Sequence, residues 1–215
     1  NKKNEPVIEF AYQGPHLLFN GNKANIAITG DVNFNIIRNK KILNGKCYQS
    51  YTLNNGDQID ILSTNKSVYG YLSINGGFNV ESVWNSCSIN TQAKIGPNNG
   101  QKLQKDYNIE ILRSNSNFPI KKIKYTNFKI EYKRVIKGTN FNYFSENSRK
   151  NFFKNQFTVS KLTDRMGMRL EGKKIDNAYS TNIKSEGLIK GVIQVPADGN
   201  PIIMLSDHGT IGGYP

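Results

Sequence analysis

Short runs in which apolar and polar residues alternate recur along this chain, each closed by small or amide-bearing residues. Clear cases are Asn25-Ile26-Ala27-Ile28, Gln58-Ile59-Asp60-Ile61-Leu62, Asn108-Ile109-Glu110-Ile111-Leu112 and Phe128-Lys129-Ile130-Glu131-Tyr132. A period of two turns one face of each run toward a core and the other toward water, so these runs are expected as strands. Between them stand Asn44-Gly45, Asn54-Asn55-Gly56-Asp57, Asn75-Gly76-Gly77 and Pro97-Asn98-Asn99-Gly100. Such residues suit turns that need positive φ. Many short strands at this spacing predict a mainly β chain, a barrel or a sandwich.

One helix is expected near residues 145–156. Ser145 can cap it, Glu146 suits the positive end of the dipole, and Phe152 and Phe153 supply an apolar face. Composition shifts at Ser114-Asn115-Ser116-Asn117, which is small and turn-prone. A division into an N-terminal β subdomain, 1–113, and a C-terminal one, 114–215, is expected there. A surface loop inside one continuous barrel is the alternative.

The formal charge of +13 raises nucleic acid or an anionic surface as a partner. Two features count against it. Lys greatly outnumbers Arg in a chain equally rich in Asn and Ile, the composition of an AT-rich genome. The lysines are also dispersed, and the one local cluster, Lys121-Lys122-Ile123-Lys124, has no aromatic recognition pattern beside it. No nucleic acid or membrane partner is therefore expected, and no apolar run reaches the roughly 18 residues of a membrane span. Cys47 and Cys87 are isolated, so neither a zinc site nor a disulfide framework is indicated. Two unpaired cysteines fit a reducing cytoplasm.

Several familiar sites fail on spacing. Gly96-Pro97-Asn98-Asn99-Gly100-Gln101-Lys102 has three residues between its glycines, where a phosphate-binding loop has four. Ser206, Asp207 and His208 have the residue types of a hydrolytic triad but are contiguous, so they cannot align as nucleophile, orienter and base. No metal site is visible.

The last fifty residues are the densest in glycine and charge. They contain Asp164-Arg165-Met166-Gly167, Arg169-Leu170-Glu171-Gly172, Ser185-Glu186-Gly187, Ile193-Gln194-Val195-Pro196, and Asp207 followed by Thr210 and Gly212-Gly213-Tyr214-Pro215. Loops of this kind on a β scaffold mark either a functional rim or only tight turns. In residues and in spacing, these blocks resemble the biotin-dependent carboxyltransferase family, also called the allophanate hydrolase subunit 2 family. Weaker echoes lie at Gly14-Pro15, Thr29-Gly30-Asp31, Gly56-Asp57 and Tyr71-Leu72-Ser73-Ile74-Asn75-Gly76-Gly77-Phe78. Against that family's pattern both ends of the chain are expected to be incomplete.

The resemblance implies a cyclophilin-like β-barrel architecture and a cytoplasmic component of a multi-protein enzyme. The implied activity is that of the C-subunit of an ATP-dependent 5-oxoprolinase, opening 5-oxo-L-proline to L-glutamate. The implied partners are a subunit-B-like protein (allophanate hydrolase subunit 1, KipI-type), the A-subunit of 5-oxoprolinase, and a small lactam or amide. ATP would be bound by the complex. Alternatives within the family are a urea or amide carboxylase component using carboxybiotin from a separate carrier, and a KipA-type regulatory binding protein.

Carboxyl transfer or lactam opening needs a carboxylate clamp, donors for a developing oxyanion, and a base. Asp207 and Glu186 are the candidate catalytic carboxylates. Arg165 and Arg169 can grip a carboxylate. Gln194 can meet a lactam or ureido group through both amide atoms. Thr210, Gly212, Gly213 and Tyr214 complete the candidate binding set, and all are expected on one rim. Blander roles stand beside these. Arg165 would pair with Asp164, Glu186 would close a turn, Met166 and Met168 would pack a core, and Tyr214 would pack at the rim.

Overall fold

In the computed structural model, which describes residues 5–112, 119–124 and 132–215, the alternating runs of the first half become strands. The chain divides into two compact units, Asn1–Lys129 and Ile130–Pro215. The expected strand at residues 128–132 lies outside the described residues apart from Tyr132, as does the expected boundary at residue 114.

The first unit contains β1 (Ile8–Ala11), β2 (His16–Leu18), β3 (Lys23–Thr29), β4 (Val32–Arg38), β5 (Lys41–Asn44), β6 (Ser50–Asn54), β7 (Gln58–Thr64) and β8 (Tyr69–Ile74). They form two four-stranded antiparallel sheets, β1-β8-β3-β6 and β2-β7-β4-β5. Alternation buries one face of each. Ile26, Ile28, Leu53 and Leu72 of the first sheet share a core with Phe34, Ile36, Ile59 and Ile61 of the second. Ile28, Leu53 and Ile61 are fully buried, and each such side chain contributes about 1.5–3 kcal/mol of transfer free energy. Phe34 meets Tyr51 edge to face, centroids 5.9 Å apart, which joins the two sheets by a preferred aromatic geometry.

The turns are local solutions. Asn39 and Lys40 connect β4 to β5 with both φ values positive, 48° and 64°, as a two-residue hairpin requires. The turn before β7 is closed by Asp57, whose amide donates to Asn54 O and whose carboxylate accepts from Asn54 N at 2.7 Å. Arg38 reaches across from the end of β4 to that carboxylate. Residues 121–123 meet the chain at the start of β6. Ser50 N donates to Lys121 O and Ile123 N to Tyr48 O, both at 2.8 Å.

Asn108–Leu112 has a strand's alternation but does not form one. It makes an isolated bridge, Phe78 to Ile111, with Asn79 N donating to Glu110 O and Leu112 N to Gly77 O.

The second unit contains α1 (Glu146–Lys154), β9 (Thr158–Val159), β10 (Gly167–Glu171), β11 (Glu186–Gly187), β12 (Ile193–Gln194), β13 (Ile202–Met204) and β14 (Ile211–Gly212). The helix falls where its capping residue predicts. Ser145 Oγ accepts from Ser148 N at 3.1 Å, and Glu146 pairs with Lys150 one turn on at 2.6 Å. The strands form the antiparallel sheet β12-β13-β10-β9 and the pair β11-β14. The fold is thus mainly β, with antiparallel sheets and one α-helix among the described residues. No helix among them is long and apolar enough to cross a membrane.

Candidate functional site

Two side chains singled out from the sequence meet directly. Arg165 Nε donates to Asp207 Oδ2 at 2.7 Å, and Nη2 donates to Oδ1 at 3.1 Å. The backbone carries the β10–β13 pairing past Gly167 and Met204 to reach this point. Leu205 N donates to Met166 O and Asp207 N to Arg165 O, at 2.9 and 3.0 Å. A forked, charge-assisted contact of this kind fixes both groups in orientation. The two side chains are 36% and 21% exposed, so the pair is reachable from solvent. Asp164 is not the partner of Arg165. Its carboxylate accepts from Met166 N and Gly167 N at 2.9 and 3.1 Å, an Asx turn that leads into β10.

Around this pair the contiguous Ser206, Asp207 and His208 do face different neighbours. Ser206 Oγ accepts from Lys190 Nζ at 3.0 Å. His208 Nδ1 lies 2.6 Å from its neighbour's carbonyl, Gly209 O. Met166, expected in a core, is 39% exposed, and Met168 is half-buried.

A second group of candidates forms around Gln194. This side chain is 6% exposed, and Nε2 donates to Tyr214 O at 3.0 Å. Gly212 lies flat against the amide. A Cβ at Gly212 would stand 2.6 Å from Gln194 Nε2 and 2.8 Å from Oε1, so any side chain here would push the amide out of its present position. Gly212 is opposite Glu186 in the β11–β14 pair. The Glu186 carboxylate accepts from Thr139 Oγ1 at 3.2 Å and Asn140 Nδ2 at 3.1 Å. The carbonyls of Thr210 and Gly213 accept from Leu188 N and Ile183 N. Val195 N donates to Pro215 O at 2.8 Å, and Tyr214 is 42% exposed.

The register sets these groups apart. Gln194 and Arg169 both lie opposite Ile202, whereas Gly167 lies opposite Met204 and Arg165 beyond it. β10 begins only at Gly167, so Arg169 lies within the ladder and Arg165 in the bend that precedes it. The contacts thus join Arg165 to Asp207 beyond the β10–β13 ladder, and Gln194 to Gly212 and Tyr214, with Glu186 opposite Gly212. Arg169 belongs to neither. Its amide donates to Thr163 Oγ1 at 3.1 Å. The hydrogen bond from Asn200 N lowers the Asp198 pKa most, and the charges of Lys174 and then Arg169 add to it.

Two polar residues that the sequence did not point to contact a candidate, and a third stands beside the neighbour of Asp207. Thr139 and Asn140 hold Glu186 from 47 and 46 positions away, and no local pattern signals that. Lys190 stands beside Ser206, its only hint the Lys190-Gly191 turn dipeptide. In the first unit Asp57, 2% exposed, is held below the usual carboxylate range chiefly by its hydrogen bond to Arg38. Among the described residues no group of His, Cys, Asp and Glu gathers as a metal site.

The whole chain, residues 1–215, matches the family described as carboxyltransferase domain, subdomain A and B. The 5-oxoprolinase C-subunit of Haemophilus influenzae is 29% identical over 223 residues, covering 100% of this chain and 68% of the relative. That of Escherichia coli is 29% identical over 164 residues, covering 74% of this chain and 52% of the relative. Among solved structures, the K. lactis urea amidolyase aligns over 100% of this chain and 14% of its own, with a TM-score of 0.82 at 23% identity. At that identity the likeness shows the fold alone.

Proposed function

The chain belongs to the carboxyltransferase-domain family of subdomains A and B, and from that premise we propose that it forms part of the C-subunit of an ATP-dependent 5-oxoprolinase. The reaction is the opening of 5-oxo-L-proline to L-glutamate, driven by ATP hydrolysis in a complex with a subunit-B-like protein and the A-subunit. The observation that carries this reading is the likeness to two proteins named as the C-subunit of 5-oxoprolinase, one of them along the entire chain. The chain spans 68% of one and 52% of the other, so the activity is assigned to the assembled complex and not to these residues alone. Such a complex works in the cytoplasm.

The Arg165–Asp207 pair is the centre of the proposed site. Arg165 orients the Asp207 carboxylate, which accepts a proton from the substrate or from the attacking water. Glu186, steadied by Thr139 and Asn140, is the second carboxylate. Gln194 shapes the wall beside Gly212, with Gly213, Thr210 and Tyr214 continuing it, and Arg169 on β10 adds positive charge.

ATP is assigned to the complex, since the loop at residues 96–102 has three residues between its glycines where a phosphate-binding loop has four. Gly96 and Gly100 pack closely on other backbone, a Cβ at each standing 2.3 Å from Ser88 O and 2.2 Å from Lys94 C. When bound, ATP supplies the phosphoryl group that drives ring opening. The test is to combine the full-length protein with its partners, ATP and 5-oxo-L-proline. Glutamate and ADP are expected together, from a complex that co-purifies. ATP turnover with no glutamate defeats the assignment. The family description itself favours a second reading, carboxyl transfer from carboxybiotin to urea or another amide. That reading requires labelled bicarbonate to appear in the amide when a biotin carboxylase and carrier are supplied.

A further inference from the structure

The cation expected to grip the substrate's carboxylate already has an occupant. Asp207 fills the Arg165 fork with both its oxygens, at 2.7 and 3.1 Å. An anion arriving at this end of the β10–β13 ladder meets a guanidinium that is already neutralised. It also meets a lysine that is not. Lys190 Nζ touches Ser206 Oγ at 3.0 Å, a neutral oxygen next in the chain to Asp207, and it has no carboxylate within ion-pair distance among the described residues.

The backbone, and not the side chain's own contacts, puts Lys190 there. Residues 189–192 form a turn closed by Val192 N donating to Ile189 O at 3.1 Å, with Gly191 at φ +94°. Positive φ at the third position, with Lys190 at the second, is the type II arrangement. The turn is held to β13 at one residue, Met204. Gly191 N donates to Met204 O at 2.9 Å, and Met204 N donates to Val192 O at 2.8 Å. An ammonium with its remaining donors open, on an anchored turn, binds an anion at little cost in ordering.

We infer that Lys190 is the residue that takes the carboxylate of the substrate, and that it selects carboxylated lactams over neutral amides at the Arg165–Asp207 site. The inference rests on the 5-oxoprolinase reading and narrows its substrate class. In this arrangement Arg165 stays with Asp207 throughout. The incoming carboxylate replaces Ser206 as the partner of Lys190, while the lactam is presented to the Asp207 oxygens.

The test uses the full-length complex with its partner proteins, ATP, and two lactams, 5-oxo-L-proline and 2-pyrrolidinone, which lacks the carboxylate. Lys190→Gln is expected to raise KM for 5-oxo-L-proline about tenfold or more, the scale of one charge-assisted contact. It should leave kcat within about twofold and 2-pyrrolidinone handling unchanged, and Lys190→Arg should restore the KM. An unchanged KM in Lys190→Gln overturns the inference. So does an equal loss for both lactams, or a carboxylate-specific loss in Arg165→Lys with none in Lys190→Gln, which makes Arg165 the clamp. Calorimetric binding of 5-oxo-L-proline to the same complexes keeps the two claims separate. If the wild-type complex binds the ligand but makes no glutamate, the reaction assignment fails, and weaker binding by Lys190→Gln still supports the lysine. No binding to the wild type overturns both.

Discussion

Arg38 holds Asp57 by both carboxylate oxygens, Nε at 3.0 and 3.1 Å and Nη2 at 2.6 Å, while the aspartate side chain is only 3% exposed. The same carboxylate takes the Asn54 amide, and Arg38 Nη2 also reaches Thr52 O at 2.8 Å. One buried charge thus closes the turn between β6 and β7 and ties it to β4. The hydrogen bond from Arg38 is the main cause that lowers the Asp57 pKa, and burial opposes it. A folded-state pKa below the unfolded value contributes stability that is present above about pH 3.9 and is lost as pH falls through the folded pKa. Asp57→Asn is expected to cost about 2–4 kcal/mol at pH 7, since it leaves Arg38 without its partner. The gap to wild type should narrow below about pH 3.9. Urea titrations of both proteins at neutral and acid pH measure it, and a gap that does not change with pH contradicts the assignment.

The Arg165–Asp207 contact gives a kinetic prediction. Asp207→Asn preserves shape and removes the base, and turnover of the complete complex should fall by about a hundredfold. Arg165→Lys keeps the charge but loses the fork. Because the two groups act as one, the double variant should be little worse than the more damaged single one. Wild-type kinetics in both single variants reduce the pair to a structural brace.

Glycine positions on β11 and β14 separate packing from propensity. Gly212→Ala puts a methyl 2.6–2.8 Å from the Gln194 amide and from Leu188 Cδ1, and overpacking of this kind costs about 1–3 kcal/mol. Gly187, on the paired strand, has nothing within 4 Å of its Cβ position. Gly187→Ala should be nearly neutral by the same denaturation measurement. Equal costs at the two sites contradict the close packing of Gly212 on Gln194.

The helix cap is the simplest case. Ser145→Ala removes the acceptor for Ser148 N and should lower stability by about 1 kcal/mol, with Ser145→Asp retaining most of it. Thermal unfolding at one pH is enough to distinguish the three proteins.

What is legible in the sequence is local. Period-two alternation marks β3 and β7, and Ser145 marks the start of α1, because each signal depends on neighbours along the chain. The same alternation at Asn108–Leu112 gives no strand, since alternation says that a segment can pair but not that an edge is free to receive it. Gly45 reads as a turn residue with positive φ. Its actual constraint is the Phe34 ring, 2.0 Å from where a Cβ would sit, a contact set by tertiary packing. The turn at Asn39-Lys40 carries positive φ on a lysine, which has no compositional signature. Arg165 and Asp207 are both identifiable as polar residues in glycine-rich blocks, and they do meet. The distance from them to Arg169 and Gln194 follows from strand register, which pairs residues dozens of positions apart.

The strap of residues 121–123 at the start of β6 has a consequence for solubility. β6 is the last strand of its sheet, and an uncovered edge there is a template for another chain. Ser50 N and Tyr48 O are already bonded to the strap, and Ser50 Oγ accepts from Lys121 N at 2.7 Å. Lys121 and Lys122 add positive charge along the same border. Any variant in which this short stretch detaches frees the Ser50 amide at the start of that edge, and its first symptom should be self-association at high concentration while the core beneath stays folded.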